Sequence, residues 1–225
     1  MIGAASAEAR NAMAAATSSG SPMRPSACIA TDAWSAASLA QMRSVIGVRT
    51  SPGATILHNL ICSRAVPEVV REHGGVPVRT KVGHSFIKQQ MLETGAIFGG
   101  EHSAHYYFLR NFRADSGLIA SMLMLDEVSR SGTDLSVLRK PFERYSSSGE
   151  INTHVDDTTA VIERVAEVFA SHAQDRLDGL TVDCGPWWFN LRPSNTEPLL
   201  RLNVEAADEA TMIQIRDEVL ARVRA

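Results

Sequence analysis

"WFNLRPSNTEPLLRLNVE", residues 188–205, reads as a strand, a polar break and a second strand. Phe189 and Leu191 precede the break and Leu200, Leu202 and Val204 follow it, each set spaced by two, the period of a strand with one buried face. An ordinary hairpin needs only a short loop with Gly or Asn at a position of positive φ. This tip carries Arg192, Ser194, Asn195 and Thr196, fenced by Pro193 and Pro198, far more donors than turning requires. Two neighbouring strands that reverse on each other predict an antiparallel sheet in the C-terminal part of the chain.

The flanking segments extend that sheet. "EINTHV" (150–155) reads as a strand, and residues 157–171 as a helix with Val161, Ile162, Val165, Val168 and Phe169 inward. Three strands follow, then a last helix from near Asp208 that buries Met212, Ile215, Val219 and Val223. Residues 146–225 are therefore expected to form an α+β domain of four antiparallel strands covered by two helices. "FERYSSSGE" (142–150) is expected to be a freely bending linker.

Upstream the texture differs. "GATILHNLI" (53–61) is an apolar strand, Ser63 caps a helix running to His73, and Gly74 and Gly75 end it. "VPVRT" (76–80) is a second strand, "HSFIKQQMLET" (84–94) a helix stopped by Gly95, "AIFG" (96–99) a third strand, and "GLIASMLMLDEVSRSG" (117–132) a long apolar helix. Alternating strand and helix predicts a parallel sheet with helices on its faces over residues 52–145. Residues 1–51 are rich in Ala and Ser, hold only Glu8 and Asp32 as acids, and show no sustained period; they are expected to be a poorly ordered leader without chemistry. A transit peptide is the weaker reading, because no Arg-rich amphipathic face stands out.

Bulk properties narrow the partners. The chain has 225 residues, 44% of them hydrophobic, a net charge of -3 and a pI near 6.2, which gives no broad basic face for nucleic acid. Cys28, Cys62 and Cys184 are odd in number, far apart and without metal-ligand spacing, so a reducing compartment, the cytoplasm, is expected. The longest apolar stretch, residues 117–125, falls short of the roughly 20 residues of a membrane span, and no membrane partner is expected.

Ligands of parallel α/β sheets bind beyond the carboxyl ends of the strands. The segments at those ends hold Ser63 and Arg64, then "KVGHS" with Lys81, Gly83 and His84, then "GGEHSAHYY" with Glu101, His102, Ser103 and His105. Lys88 lies one helical turn beyond His84 and points the same way. Glu101 and Ser103 suit a hydroxylated ligand, a carboxylate accepting from two adjacent sugar hydroxyls. The alternative is a turn in which Gly99 and Gly100 supply positive φ and Glu101 is solvated. His102 and His105 are spaced to face each other as metal ligands, but no third ligand beyond Glu101 accompanies them, and no metal centre is expected. His84 either caps its helix with a ring nitrogen or contacts an anion beside Lys88. At the hairpin tip, Arg192 can fork onto two phosphate oxygens while Ser194, Asn195 and Thr196 add donors. The alternative there is an ion pair of Arg192 with Glu197 or Glu205, and Arg201 is read as a solvated face.

"KVGHSFIK", "GGEHSAHYY", "GEIN" and "RPSNTEPLLRLNVE", in this order and at these separations, resemble the third and fourth domains of the α-D-phosphohexomutases, in particular the bacterial phosphomannomutase/phosphoglucomutase group. The likeness runs from about Pro52 to the C-terminus. It implies an incomplete parallel α/β/α domain, its first strand replaced by the leader, followed by an α+β phosphate-binding domain. The family's reaction is the conversion of a hexose 6-phosphate into its 1-phosphate on a phosphoserine assisted by Mg²⁺, an isomerase activity. The resemblance assigns Glu101 and Ser103 to the sugar 3- and 4-hydroxyls, with His105 in the same loop. It assigns Arg192, Ser194, Asn195 and Thr196 to the phosphate that is not being transferred, and His84 and Lys88 to the cleft wall.

Two departures limit the expectation. The family's Ser-His-Asn-Pro type phosphoserine loop and its Asp-Gly-Asp-Gly-Asp-Arg type metal loop do not occur in these 225 residues, so neither catalytic serine nor Mg²⁺ ligands are expected. A truncated or frame-disrupted relative is the expectation, inactive alone, recognising mannose or glucose phosphates; a non-catalytic phosphosugar-binding module, or half of a split enzyme docking on a chain with the missing domains, is the alternative. Pro193, which lacks an N–H, stands where the family usually has a small residue and would weaken the phosphate grip.

Overall fold

Two five-stranded sheets carry the described part of the molecule, which in this computed structural model comprises residues 52–194 and 197–225. The leader, Asn195 and Thr196 lie outside it. The first sheet holds β1 (Thr55–Asn59), β2 (Val76–Thr80), β3 (Phe98–Gly100), β4 (Tyr106–Phe108) and β5 (Ala114–Asp115) in the order β2-β1-β3-β4-β5. β1 pairs in parallel with β2 and β3, as alternating strands and helices require. β4 and β5 return antiparallel, so the sheet is mixed. The reason lies in chain length: the link from β3 to β4 is far too short for a parallel crossover.

β1 reads as a continuous apolar run because both of its faces are covered. Ile56 packs with Val66, Val69 and Val70 of α1 (Ala65–Glu72) and with Ala120 of α3 (Gly117–Ser131). Leu57 faces the other way, toward Ile87 and Met91 of α2 (His84–Thr94). Ser63 serves α1 as expected, its hydroxyl accepting from Ala65 N at 3.1 Å. Gly99 and Gly100 do not supply the positive φ assigned to them; both lie in β3, and Ala104 takes the left-handed position with φ 66°. Gly99 lets α2 pack closely on β3, since a Cβ there would sit 3.1 Å from Ile87 Cγ2 and push that side chain back.

The second sheet is wholly antiparallel, in the order β6-β10-β9-β8-β7. It comprises β6 (Ser146–His154), β7 (Ala173–Asp175), β8 (Leu180–Asp183), β9 (Trp187–Pro193) and β10 (Leu199–Ala206). Five strands replace the expected four, because three-residue β7 is too short to show a period. The opening hairpin forms as read, with Leu191 opposite Leu202 and Phe189 opposite Val204. α4 (Thr158–Val168) and α5 (Glu209–Arg224) cover the face bearing Phe189, Leu191, Leu200, Leu202 and Val204, along with Leu180 and Val182. By the period of two, Trp188, Asn190, Arg192, Arg201, Asn203 and Glu205 occupy the opposite face. That face is polar yet largely buried, because the first domain lies against it.

The expected flexible linker is fixed. Ser146 and Ser147 pair with Ala206 and Glu205 as the first residues of β6. Just before them Phe142 is buried, Arg144 bonds Glu68 and both oxygens of Glu72, and the Tyr145 hydroxyl donates to Glu68. Ladder hydrogen bonds and an ion cluster on α1 outweigh the conformational freedom that serines and a glycine would otherwise give.

Candidate functional site

The acidic loop between β3 and β4 folds inward. Glu101 is 5% exposed, its Oε1 accepting from Gly83 N at 3.0 Å and its Oε2 from the Tyr107 hydroxyl at 2.8 Å. It is thus a held carboxylate and not the solvated side chain of the alternative reading. His84 does not cap its helix: its Nδ1 lies 2.6 Å from the same Tyr107 hydroxyl. Burial first, then the neighbouring Glu101 carboxylate, push the Tyr107 hydroxyl far above its ordinary pKa, so it remains a hydrogen-bond donor. His105 pairs through Nδ1 with Asp115 Oδ2 at 3.0 Å, a contact that holds the Asp115 carboxyl below its usual range. The rings of His84 and His105 meet edge to face, 4.4 Å between centroids. Ser103 and Lys88 are exposed at the rim.

The hairpin tip holds a different chemistry. Arg192 and Arg201 are direct cross-strand partners and therefore share a face. One carboxylate, Glu150, serves both: Oε2 accepts from Arg192 Nη2 at 2.9 Å and Oε1 from Arg201 Nη1 at 3.0 Å. Arg201 also reaches the Ser194 hydroxyl at 3.3 Å, so it belongs to the cluster and is not the solvated residue expected. The predicted partners of Arg192, Glu197 and Glu205, are replaced by Glu150, which β6 brings alongside. Nε of each arginine is buried without a partner among the described residues. Two guanidinium groups against one carboxylate leave a surplus positive charge on a partly desolvated face. Asn195 and Thr196 fall outside the described residues.

A short chain of contacts joins the two clusters. Gly83 N binds Glu101, the adjacent Val82 N lies 3.3 Å from Asp178 Oδ2, and Asn190 Nδ2 donates to Asp178 O at 3.0 Å. Gly179, next in sequence, approaches Arg192 so closely that a Cβ there would lie 2.6 Å from Arg192 Cα. The β7–β8 turn of the second domain is thus wedged between the acidic loop's support and the arginine strand.

Tyr107, Asp115, Glu150 and Asp178 carry no expectation from sequence, and Arg201 carries the wrong one. Tyr107 stands two residues after His105, the spacing that shares a strand face, and Arg201 follows from aligning Leu191 with Leu202. Asp178 carries no such signal, being a turn residue whose role depends on the domain arrangement.

Comparison with known proteins gives concordant matches. Residues 35–145 match phosphoglucomutase/phosphomannomutase, alpha/beta/alpha domain III, and residues 150–222 match the C-terminal domain of the same family. The first match takes in residues 35–51, ahead of the boundary placed at Pro52. A phosphomannomutase of Methanocaldococcus jannaschii is 42% identical over 76% of this chain and 38% of its own length. A protein named phosphohexose mutases from Xanthomonas campestris is 41% identical over 76% of this chain and 39% of its own. A crystal structure of a phosphoglucomutase/phosphomannomutase family protein from Burkholderia thailandensis superposes with a TM-score of 0.70 at 26% identity, covering 85% of this chain and 41% of that one. The chain therefore spans about two fifths of the length of the relatives it matches.

Proposed function

This chain belongs to the phosphoglucomutase/phosphomannomutase family, matching its domain III and C-terminal domain, and from that premise we propose that it is the sugar- and phosphate-recognising part of a phosphohexomutase. Relatives named phosphomannomutase support a hexose phosphate as ligand. In this reading Glu101 and Ser103 hold adjacent sugar hydroxyls beside His105, and His84 and Lys88 line the cleft. Arg192, Ser194, Asn195 and Thr196 hold the phosphate remote from the reaction, with Arg201 as a further donor. The observation that carries the reading is the Arg192–Glu150–Arg201 cluster, a buried cation and a half-buried one sharing one anion and so suited to a second, dianionic partner. Free Cys62 and Cys184 fit a cytoplasmic setting.

The family's Mg²⁺ does not fit these residues. Among the described residues the group able to hold a metal is His84, His105 and Asp115, and two imidazoles are a poor match for an ion that demands oxygen ligands in near-octahedral geometry. The chain by itself binds substrate and turns none over, because phosphoryl transfer needs a positioned nucleophile and a charge-neutralising cation.

Calorimetric titration of mannose 1-phosphate and glucose 1-phosphate tests the reading. Arg192→Ala is expected to weaken binding at least tenfold, with Ser194→Ala as a milder variant should the first unfold. Unchanged affinity in both would refute the assignment of the hairpin tip.

A second reading, half of a split enzyme, is favoured by one feature: Leu118, Met122 and Leu125 lie along α3 at helical spacing, each at least 60% exposed. An apolar stripe of that kind marks an interaction surface.

A further inference from the structure

Three metal-ligating side chains from three separate segments converge beside the acidic loop. His84 opens α2, His105 precedes β4 and Asp115 ends β5, yet one donor atom from each lies within 4.8 Å of the other two. We propose that His84, His105 and Asp115 bind a transition-metal dication of the zinc class, with a further coordination position open to solvent. This site does not rest on the hexose-phosphate reading.

The donor set and its support both point this way. Two imidazoles and a carboxylate form a ligand set typical of zinc. With zinc-ligand bonds of about 2.0–2.1 Å, tetrahedral ligands sit roughly 3.3 Å from one another. His105 Nδ1 and Asp115 Oδ2, at 3.0 Å, already stand near that spacing, and a His84 donor atom lies within 4.8 Å of the other two. The backbone beneath is held: Glu101 N donates to His105 O at 2.9 Å, and Asp115 is the strand partner of Tyr107.

His84 is prepared by an outer shell. The Tyr107 hydroxyl donates to Glu101, so it must accept from His84, which places the ring hydrogen on Nδ1 and leaves the Nε2 lone pair free. A carboxylate acting through a hydroxyl on the far nitrogen is the kind of arrangement that fixes the tautomer and orientation of a metal-binding histidine. His84 is exposed and the other two are part-exposed, which leaves an entry path. On binding, metal-nitrogen and metal-oxygen bonds replace the His105–Asp115 hydrogen bond; the Nδ1 hydrogen of His105 leaves to solvent as Nε2 takes one up, so the imidazole stays neutral. No electron is transferred.

Titration of the untagged chain with ZnCl2, and separately with MgCl2, tests the site. One equivalent of Zn²⁺ is expected to bind, with Mg²⁺ at least a hundredfold weaker. His84→Ala, His105→Ala and Asp115→Asn are each expected to weaken Zn²⁺ at least tenfold, while His102→Ala and His154→Ala leave it unchanged. His84 is exposed, so its variant keeps the fold; visible absorption of bound Co²⁺, intense only in a low-coordinate site, should vanish with it. Zn²⁺ binding that survives all three substitutions, or a Mg²⁺ affinity equal to that for Zn²⁺, overturns the proposal. Its failure would leave the Arg192 titration untouched, since that measurement reads a different cluster.

Discussion

Gly179 sets how near the β7–β8 turn can come to Arg192. Its φ of 69° is left-handed, and an added Cβ would meet Leu191 O at 2.4 Å and Arg192 Cα at 2.6 Å, backbone atoms that have no room to give. Gly179→Ala therefore adds strain of about 1 kcal/mol for the backbone conformation to an overpacking cost of roughly 1–3 kcal/mol. The expected outcome is a lower urea midpoint together with lost hexose-phosphate affinity, because relief of the clash displaces the arginine strand. A midpoint matching the unsubstituted chain would show that the turn does not support Arg192. At this scale the sequence named the arginine and the tip but not the glycine that seats them. A turn glycine in sequence announces only positive φ, and its neighbours come from another segment.

Among the elements, α3 departs furthest from what its composition promised. "GLIASMLML" reads as part of a long apolar helix, and the helix forms, with Ser116 Oγ accepting from Ile119 N at 3.2 Å and Gly132 ending it. Only Ala120 of its 15 residues is buried, whereas Leu118 is 76% exposed. Helix formation is local, a matter of cap and period; which face is covered depends on neighbours. Replacing Leu118, Met122 and Leu125 together with Gln is expected to change the thermal midpoint little, since surface substitutions fall within about 0.5 kcal/mol each. Co-expression with a chain bearing a phosphoserine loop and a metal loop gives the complementary measurement. If α3 is the docking face, mutase activity appears with the unsubstituted chain and fails with the Gln variant; activity with both would assign docking elsewhere.

The two domains meet through buried polar groups, and two of these, His58 and Glu205, make stability depend on pH. His58, 6% exposed, lines a cavity of ≈ 280 Å³ at the junction with Arg64, Thr181 and Trp188, and burial, chiefly, lowers its pKa to about 4. The native state keeps it neutral while the unfolded chain takes up a proton below 6.5, so stability is lost as pH falls from 6.5 toward 4. The window corresponds to roughly 3 kcal/mol. Glu205 works in the opposite sense. It accepts from Arg64 N at 3.0 Å and Trp188 Nε1 at 2.8 Å, and burial raises its pKa, so the native state gains relative to the unfolded chain as pH falls through that raised value. His58→Gln is expected to flatten the loss between pH 6.5 and 4 in urea titrations. An unaltered slope would mean that His58 is solvated in the folded protein.

Periodicity and local punctuation settled β9 and β10 with their break, Ser63 and Gly95 at the ends of α1 and α2, and the alternation of strand and helix from β1 to β3. Those features depend on residues a few positions apart, and burial of one face imposes a spacing that can be read directly. The ordered motifs around Glu101 and Arg192 likewise pointed to the family before any fold was in view. Tertiary structure decided that β4 and β5 turn the first sheet mixed and that the serine-rich connector is pinned as a strand. It also decided that Glu150 joins Arg192 to Arg201, and that His84 and Asp115 come to His105 from opposite sides in sequence. Each of these is a pairing across long separations, where geometry comes from packing and a linear pattern carries no trace of its partner.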